Sequence, residues 1–284
     1  MSGNEVRRVG QVKEITSLAN PIIKDIRSLA QKKFRDQQNA FLAEGLKLII
    51  DALDLGWTIK TLAFAKSQAS NPLVEKVATK AFASGALILE VSEKVLGTIT
   101  RRDNPQMVIG VFEQRWEPLK NIRPAGKDVY IALDRVRDPG NLGTIMRTAD
   151  AVGAKGVILV GETTDPFSLE TVRATMGSVF AMPVTKVGVD AFLSWRKSVK
   201  ARFVGTHLKG SVDFRSVDYA SGPTVLVMGN EQQGLPDTLA DACDTLIRIP
   251  QEGRADSLNL AVATGIALYE IRRSALPIAG KVSA

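Results

Sequence analysis

The sequence predicts an α/β protein of two domains, the second of which is built on a parallel sheet. The chain has 284 residues, enough for two domains of roughly 100–200 residues each. From residue 128 onward, short apolar runs alternate regularly with amphipathic segments, a pattern typical of parallel strands covered on both faces by helices. We expect a smaller N-terminal α/β domain at 1–115, a linker at 116–127 and the parallel-sheet domain at 128–284.

The elements of the first domain are predicted from apolar periodicity and from glycine and proline breakers. Asn20 and Pro21 open the first helix, and Gly56 gives the second helix a C-terminal stop. Helices are predicted at Ile22–Lys33, Ala43–Leu55, Pro72–Ser84 and Ser92–Thr98, and strands at Thr58–Ala65, Ala86–Val91 and Met107–Glu113. Residues 115–127 carry two prolines, a glycine and many charges without periodicity, as a linker does.

In the second domain, strands and helices alternate along the chain. Strands are predicted at Val129–Leu133, Gly156–Val160, Pro183–Val187, Arg202–Thr206, Thr224–Met228 and Thr245–Ile249. Helices are predicted at Leu142–Val152, Ser168–Val179, Val189–Val199, Pro236–Ala242 and Leu258–Arg273. Because ligands of parallel sheets bind beyond the carboxyl ends of the strands, we expect the functional residues in the loops that follow strands.

Composition excludes several classes of protein. No apolar run approaches the roughly 18 residues of a membrane span, and the N-terminus MSGNEVRRVGQVKEITS lacks the apolar core of a signal peptide. The single Cys243 excludes an internal disulfide and a multi-cysteine zinc site, and His207 is also alone. We therefore expect a cytoplasmic protein that binds neither membrane nor metal.

The charge favours a polyanionic partner. The net charge is +7, and residues 1–35 contain eight Lys or Arg against three acids. Either a solvated basic helix face or a phosphate-binding surface explains such a cluster.

The first loop of interest runs from Asp134 to Gly143 and leads into a helix that carries Arg147. Pro139, Gly140 and Asn141 make a turn, and the helix N-terminus supplies N–H groups that bind anions. Arg147 is either a surface salt-bridge arginine or a guanidinium directed at a phosphate.

The second loop contains Gly229-x-Glu231-x-x-Gly234 after a strand. Glycine lets the backbone approach a flat ligand closely, so this loop is similar to a nucleotide-binding turn. The chain contains no G-x-x-x-x-G-K-[ST] phosphate loop, and this turn lacks G-x-G-x-x-G spacing. Glu231 is equally well explained as an acid at a helix start.

The third loop follows the strand that Pro250 stops. We expect Asp256 or Ser257 to cap the next helix. Apolar residues cover nearly every face of the first half of that helix, so this half is expected to be buried all round. Ser257 and Asn259 lie at its start, where they serve either as a cap and a satisfied amide or as contacts to a ligand.

Together, Asn141…Arg147, Gly229-x-Glu231-x-x-Gly234 and Ser257-Leu258-Asn259 resemble the three ordered motifs of the SpoU/TrmH family. These SPOUT-superfamily enzymes are RNA ribose 2′-O-methyltransferases that use S-adenosylmethionine. The resemblance covers residues 128–273, and RATMGS at 173–178 also fits the family pattern. The segments ITSLANPIIKDIRSL and FLAEGLKLI resemble the ribosomal-protein-like RNA-binding domain of the family.

The resemblance implies a deep trefoil knot and a homodimer with active sites near the subunit interface. Our hypothesis for the mechanism is that Arg147 grips a phosphate beside the target ribose, and that Asn141 holds the loop and Arg147. We expect Glu231 to orient Arg147 by a charge-assisted hydrogen bond, and Ser257 and Asn259 to place the ribose. The implied cofactor contacts are Thr206, His207, Leu208, Met228, Gly229, Asn230, Gly234, Ile249, Pro250, Ser257 and Leu258. The candidate RNA contacts are Arg27, Lys32, Lys33, Arg35, Arg101, Arg102 and Arg135.

The substrate and the activity each have an alternative. A separate RNA-binding domain favours structured ribosomal RNA over tRNA, because a bulky shape-reading module suits a large folded RNA. A non-catalytic RNA-binding protein with a degenerate methyltransferase domain would be expected to lack Arg147, Glu231 or Asn259, and all three are present.

Overall fold

A computed structural model describes residues 10–207, 212–254 and 256–276. The chain forms two compact units. The first consists of Met1–Gln114 together with Phe167–Phe180, and the second of Arg115–Pro166 together with Ala181–Ala284. The segment Phe167–Phe180, which the sequence analysis assigned to the second domain, thus belongs to the first unit.

The first unit contains a five-stranded mixed sheet of order β1-β4-β3-β5-β2. Its strands are β1 Gln11–Ile15, β2 Ala40–Glu44, β3 Ile59–Ala65, β4 Leu87–Val91 and β5 Val108–Glu113. Its helices before residue 114 are α1 Pro21–Ser28, α2 Lys32–Gln38, α3 Leu46–Asp54, α4 Pro72–Ala83 and α5 Glu93–Thr100.

The rest of the chain supplies the parallel sheet and its helices. The strands are β6 Val129–Asp134, β7 Gly156–Val160, β8 Val184–Val187, β9 Arg202–Thr206, β10 Val212–Asp213, β11 Thr224–Met228 and β12 Thr245–Arg248. The helices of this second unit are α6 Pro139–Ala151, α9 Val189–Ser198, α10 Asp237–Ala240 and α11 Leu260–Arg272. Helix α7 Leu169–Thr175 and most of α8 Ser178–Ala181 lie in the segment Phe167–Phe180, which belongs to the first unit. Short 3₁₀ helices occur at Lys66–Gln68, Leu119–Asn121 and Phe214–Ser216.

The predicted helix Ala43–Leu55 is wrong at its start. Ala40–Glu44 is a fully buried strand, β2, paired antiparallel with β5. Gly45 follows with φ of 103°, a conformation that glycine adopts freely, and α3 begins after it. The amphipathic pattern of α3 concealed the strand, because a short buried strand has no periodicity of its own. Strand β1 was also missed.

The predicted helix Ile22–Lys33 is two helices, α1 and α2. Leu29 is buried between them, and Arg35 on α2 donates a hydrogen bond from Nη1 to the Leu29 carbonyl at 2.8 Å. Arg35 is only 3% exposed. Its assignment as an RNA contact is therefore wrong, because the guanidinium is used inside the fold to satisfy a carbonyl at the end of α1.

The segment Phe167–Phe180 is anchored in the first unit by a buried ion pair. Arg173 donates from Nε and Nη2 to Glu44 Oε1, at 3.0 and 2.5 Å, and from Nη2 to the Thr100 carbonyl. The predicted single helix Ser168–Val179 is interrupted, because Met176 and Gly177 have φ values of 51° and 105°.

The second unit confirms the predicted parallel sheet. All pairs in its seven strands are parallel, in the order β10-β12-β9-β11-β6-β7-β8. Residues predicted as a linker pack on this unit: Ile122 is 5% exposed, and its carbonyl accepts a hydrogen bond from Trp195 Nε1 at 3.1 Å. The carboxyl ends of β9, β11 and β12 lie side by side and open toward the same loops.

The expectation that α11 is buried all round in its first half is wrong. Leu260, Ala261 and Thr264 are buried, but Val262 and Ile266 are 51% and 38% exposed. The helix packs on α6 through one face, where Gly265 comes close to Thr148. The face that carries Val262 and Ile266 is left uncovered in the single chain.

Candidate active site

A cavity of about 1410 Å³ lies at the carboxyl ends of β9, β11 and β12 in the second unit. Among the predicted cofactor contacts, Thr206, His207, Met228, Gly229, Asn230, Gly234, Ile249, Ser257 and Leu258 line it. Pro250 is not part of the lining, and Leu208 lies outside the described residues. Asn141, Glu231 and Asn259 line the cavity as well, whereas Arg147 does not.

The loop after β11 is closed by its own hydrogen bonds. Asn230 is 5% exposed, and its Oδ1 accepts from the backbone N–H groups of Gln232 and Gln233 at 2.8 and 2.9 Å. Asn230 and Gly234 also exchange backbone hydrogen bonds. A Cβ at Gly229 would lie 2.1 Å from the Gly234 carbonyl carbon, so only glycine fits there. The turn holds Glu231 exposed at its tip.

The loop after β6 ends in a capped helix. Asp138 is the N-cap of α6, and its Oδ1 accepts from the Asn141 N–H at 2.6 Å. This satisfies one of the free N–H groups of the first turn. Asn141, the third residue of α6, is thereby fixed where its side chain reaches the cavity.

The start of α11 is capped by Asn259, and the prediction of Asp256 or Ser257 as the cap is wrong. Asn259 Oδ1 accepts from the N–H groups of Ala261 and Val262 at 2.9 and 3.2 Å. The helix begins at Leu260, later than expected, because the chain from Ser257 to Asn259 runs along the cavity in an irregular conformation. Ser257 is exposed and lines the cavity without capping the helix.

Two hydrogen bonds join these three loops. Asn259 Nδ2 donates to Asn141 Oδ1 at 2.9 Å, and Asn141 Nδ2 donates to Glu231 Oε1 at 3.2 Å. The bond to Asn259 uses the amide that is left over after capping, since its oxygen is occupied by the helix. The three segments therefore meet as one hydrogen-bonded group, Glu231–Asn141–Asn259, at the cavity.

The expected hydrogen bond between Glu231 and Arg147 is not formed. Arg147 is exposed on α6 and makes no hydrogen bond or ion pair within the part of the chain that the structure describes. The Glu231 carboxylate accepts from Asn141 instead. The guanidinium of Arg147 is thus available to a ligand outside the cavity.

The cavity is large enough for S-adenosylmethionine, and the chemistry of its lining suits this cofactor. Leu235, Ile247, Ile249 and Leu258 offer apolar surface to a flat ring. Strand β9 pairs with β11 only as far as Gly205, and Thr206 pairs with β12 alone, so the edge of β9 that faces β11 is open to a ligand beyond Gly205. Pockets for small molecules combine apolar walls and a few polar groups in this way.

The remaining RNA candidates are distributed over both units. Arg27 and Lys33 are exposed on α1 and α2, and Lys32 forms an ion pair with Asp36. Arg101 and Arg102 line a cavity of about 520 Å³ in the first unit. Arg135 lies at the end of β6 in the second unit and is bound to Asp134. No group of three or more His, Cys, Asp or Glu that could hold a metal occurs among the described residues.

Sequence reasoning missed several residues that line the cavity. These include Asp138, Gln233, Leu235, Ile247, Gln251 and Ala263. Asp138 had a detectable signal, because an acidic residue directly before proline is a typical helix start. Leu235 and Ile247 had none, since their apolar side chains look like any other core residue.

Two family models match the chain. The SpoU rRNA Methylase family model matches residues 128–269, and the MRM3-like substrate binding domain model matches residues 20–110. No helix among the described residues is long and apolar enough to cross a membrane.

Similar proteins were found among curated sequences and solved structures. The 23S rRNA (guanosine(2553)-2′-O)-methyltransferase RlmP of Bacillus subtilis (strain 168) is 31% identical over 92% of this chain and 100% of that protein. The AdoMet-bound rRNA methyltransferase from Sinorhizobium meliloti is 64% identical, with a TM-score of 0.91 over 94% of this chain and 100% of that chain. The SpoU methyltransferase AviRb from Streptomyces viridochromogenes, in complex with AdoMet, is 28% identical, with a TM-score of 0.80 over 90% and 98%.

The solved structures that share this fold, with TM-scores of 0.91 and 0.80, are methyltransferases by name. The chain belongs to the SpoU rRNA methylase family. The predicted family, the α/β fold class with its parallel sheet, the enzyme class and the methyl donor are thereby confirmed, and the trefoil knot stays a prediction.

We predict that the two roles of Asn259 can be separated. Asn259→Asp keeps the capping oxygen at a helix end that favours negative charge, but it loses the donor to Asn141. The free energy of unfolding of Asn259→Asp should stay within about 0.5 kcal/mol of the wild-type value, whereas that of Asn259→Ala should fall by about 1–2 kcal/mol. Both variants should lose at least about tenfold in methyl transfer, since a misplaced positioning group costs that much or more. Urea unfolding and initial rates are the measurements, and an active Asn259→Asp enzyme would contradict a role beyond capping.

Proposed function

We propose that this protein transfers a methyl group from S-adenosylmethionine to a ribose 2′-hydroxyl of ribosomal RNA. The observation that carries the proposal is the hydrogen-bonded group Glu231–Asn141–Asn259, which lies at a cofactor-sized cavity in a chain of the SpoU family. Relatives named as 23S rRNA 2′-O-methyltransferases favour ribosomal RNA over tRNA.

The reaction demands alignment and proton removal. S-adenosylmethionine supplies a methyl group on a positively charged sulfur. A ribose hydroxyl is a poor nucleophile, so its oxygen must be held in line with the bond between that methyl and the sulfur. The hydroxyl must lose its proton as the new O–C bond forms, while the methyl–sulfur bond breaks and S-adenosylhomocysteine leaves. The residues of the chain must therefore align the hydroxyl and assist the removal of its proton.

Arg147 binds the phosphate next to the target ribose. Its guanidinium stays protonated, so it is not a free base, but it offers a planar fork that matches a phosphate. Its exposed position outside the cavity and its lack of a partner among the described residues leave it free for this contact. Gripping the phosphate positions the hydroxyl and eases proton loss, directly or through that phosphate.

Asn141 and Glu231 form the part of the site that positions the target ribose, and Ser257 and Asn259 complete this part. Asn141 is held between the other two side chains by its hydrogen bonds to Glu231 and Asn259. The exposed hydroxyl of Ser257 can bond the ribose or its phosphate. Thr206, His207, Met228, Gly229, Asn230, Ile249, Ser257 and Leu258, which line the cavity, would hold the cofactor.

The first unit binds the RNA substrate through its basic surface. The match of residues 20–110 to a substrate-binding domain supports this role. Its contacts are the cations Arg27, Lys32, Lys33, Arg101 and Arg102, and Arg135 adds one from the second unit. The excess of Lys and Arg over acids, 37 against 30, suits a polyanion.

The enzyme acts as a homodimer in the cytoplasm, with the trefoil knot of its family. Val262, Ile266 and Tyr269 supply the support for a dimer, since they lie on one stripe of α11 and are 51%, 38% and 54% exposed. Spacings of four and three residues bring them to one face. An exposed apolar stripe of this kind is typical of a protein interface.

The proposed function is tested by transfer of labelled methyl groups to purified rRNA and tRNA, followed by alkaline hydrolysis. A 2′-O-methyl group removes the hydroxyl that attacks the neighbouring phosphate, so label should appear in alkali-resistant dinucleotides from rRNA. Arg147→Ala should lower kcat/KM at least about 100-fold, the scale of a group that assists proton transfer. Arg123→Ala, which removes another exposed arginine of the second unit, should leave the rate unchanged.

Label in mononucleotides would mean base methylation and would overturn the proposal. Label in tRNA alone would mean that the substrate is tRNA and not rRNA. An Arg147→Ala enzyme with the rate of the Arg123→Ala control would remove Arg147 from the mechanism.

The dimer is tested by Ile266→Glu, which places a charge in the apolar stripe of α11. Burying an unpaired carboxylate in an interface is costly, so the variant should elute as a monomer in size-exclusion chromatography with light scattering. Leu73→Glu changes an equally exposed apolar residue of the first unit, 53% exposed, and should leave the mass unchanged. A monomeric wild type would refute the dimer.

A further inference from the structure

A buried carboxylate that the proposed mechanism does not use lies at the end of β6. Asp134 is 1% exposed, and its Oδ2 accepts from Arg135 Nε at 2.9 Å and pairs with Nη2 at 2.8 Å. Asp134 Oδ1 has no hydrogen-bond partner among the described residues. The hydrogen bond and the charge of Asp134 raise the pKa of Arg135. Since a buried charge is costly without a partner, Arg135 is the group that makes this carboxylate tolerable.

Arg135 has an unusual backbone conformation. Its φ is 46°, in the left-handed region that glycine adopts readily and other L-residues avoid. Its N–H donates to the Val160 carbonyl at 3.0 Å. A Cβ on Gly161 would lie 3.2 Å from Arg135 Cγ, so this glycine leaves room for the arginine stem. Strain of this kind persists only where the surroundings enforce it, and it clusters at functional sites.

In this left-handed conformation, the carbonyl and the guanidinium of Arg135 both contact the loop that carries Glu231. The Arg135 carbonyl accepts from Asn230 Nδ2, and Nη1 donates to Gln233 Oε1, both at 3.5 Å. Each contact is long and therefore weak, but Asn230 is the residue that closes the loop through its Oδ1. Arg135 thus contacts the loop on either side of Glu231.

We propose that Asp134 and Arg135 are positioning residues for the methyl transfer. The carboxylate holds residue 135 in the left-handed turn, and the turn keeps the Gly229–Gly234 loop where Glu231 meets Asn141. This inference rests on the proposed function, because it assigns its effect to the role of Glu231 there. A positioning role changes kcat. A direct contact between Arg135 and RNA would change only the affinity for the substrate.

The proposal predicts an unusual pattern in a double-mutant cycle of Asp134→Asn and Arg135→Gly. Asp134→Asn removes the charge that holds the strained arginine, and kcat on rRNA should fall about tenfold. Arg135→Gly leaves a buried carboxylate without its cation, and kcat should fall as well. The double variant has neither charge, and its glycine adopts the turn without strain. Its kcat should therefore exceed that of both single variants and return to within about threefold of the wild type.

Substrate affinity and stability separate this role from others. KM for rRNA should stay near the wild-type value in Asp134→Asn and should rise only where Arg135 is lost. Cofactor affinity, measured alongside, should not follow kcat. The thermal unfolding midpoint should fall in Arg135→Gly, which leaves the buried carboxylate unpaired, so kcat is compared for the folded enzymes at a temperature below every midpoint. A merely structural role would lower the midpoint and leave the kcat of the folded enzyme intact.

A milder variant keeps the test decisive if Asp134→Asn fails to fold. Gln233→Ala removes only the exposed end of the contact. It should lower kcat a few-fold in the wild type and have no further effect when Arg135 is already glycine. A double variant slower than either single variant, or an Asp134→Asn enzyme with wild-type kcat, would overturn the proposal. A wild type that methylates no RNA would instead count against the proposed function.

Discussion

The side-chain amide of Asn141 is the point on which the site depends. It accepts a hydrogen bond from Asn259 and donates one to Glu231, residues that are 118 and 90 positions away in the chain. Each of the three loops first satisfies its own backbone, through Asp138 at α6, Asn259 at α11 and Asn230 after β11. Only because these turns are locally closed can the three side chains meet in a defined geometry.

This arrangement explains why the parallel sheet matters for function. Strands β9, β11 and β12 end side by side, so the loops that follow them open into one cavity. Helix α6, which follows β6 on the other side of β11, brings Asn141 to the same edge. The sheet supplies the coarse placement, and hydrogen bonds of the loop side chains supply the fine placement.

Much of the fold was predictable from the sequence because its strands are continuous apolar runs. Strands β7, β9 and β11 have the predicted bounds, and the other predicted strands lie within one residue of the observed ones, whereas β1, β2 and β10 were missed. The failures have local physical causes. Gly45 separates β2 from α3 by a positive φ, and Met176 and Gly177 interrupt a predicted helix in the same way. Arg35 on α2 satisfies the Leu29 carbonyl at the end of α1. None of these causes has a periodic signal.

The site was predictable in its residues but less so in its contacts. Asn141, Glu231, Ser257 and Asn259 were singled out from motif spacing, and all line the cavity. The cap at Asn259 was placed two or three residues too early, because Asp256 and Ser257 are equally good capping residues in sequence. The pair Asp134–Arg135 was not recognised, since adjacent residues in a strand point to opposite faces unless the backbone turns, as it does at Arg135.

The exposed stripe on α11 shows where a single sequence is ambiguous. A helix with apolar residues all round reads as buried, and the pattern does not say whether its own chain or a second copy covers it. In one chain, the face of α11 that carries Leu260, Thr264 and Ala267 is buried, and the face of Val262 and Ile266 stays exposed. The same pattern thus gave a wrong expectation for the chain and a reason to propose the dimer.

The most direct test of the account is the coupling between Asn141 and Glu231 in the methyl-transfer step itself. Single-turnover rates would be measured for Asn141→Ala, Glu231→Ala and the double variant, with cofactor and rRNA saturating. If the two side chains act as one hydrogen-bonded group, the double variant should be no slower than the slower single variant. Fully additive losses would mean that the two residues act independently, and would contradict the claim that three loops form one positioning site.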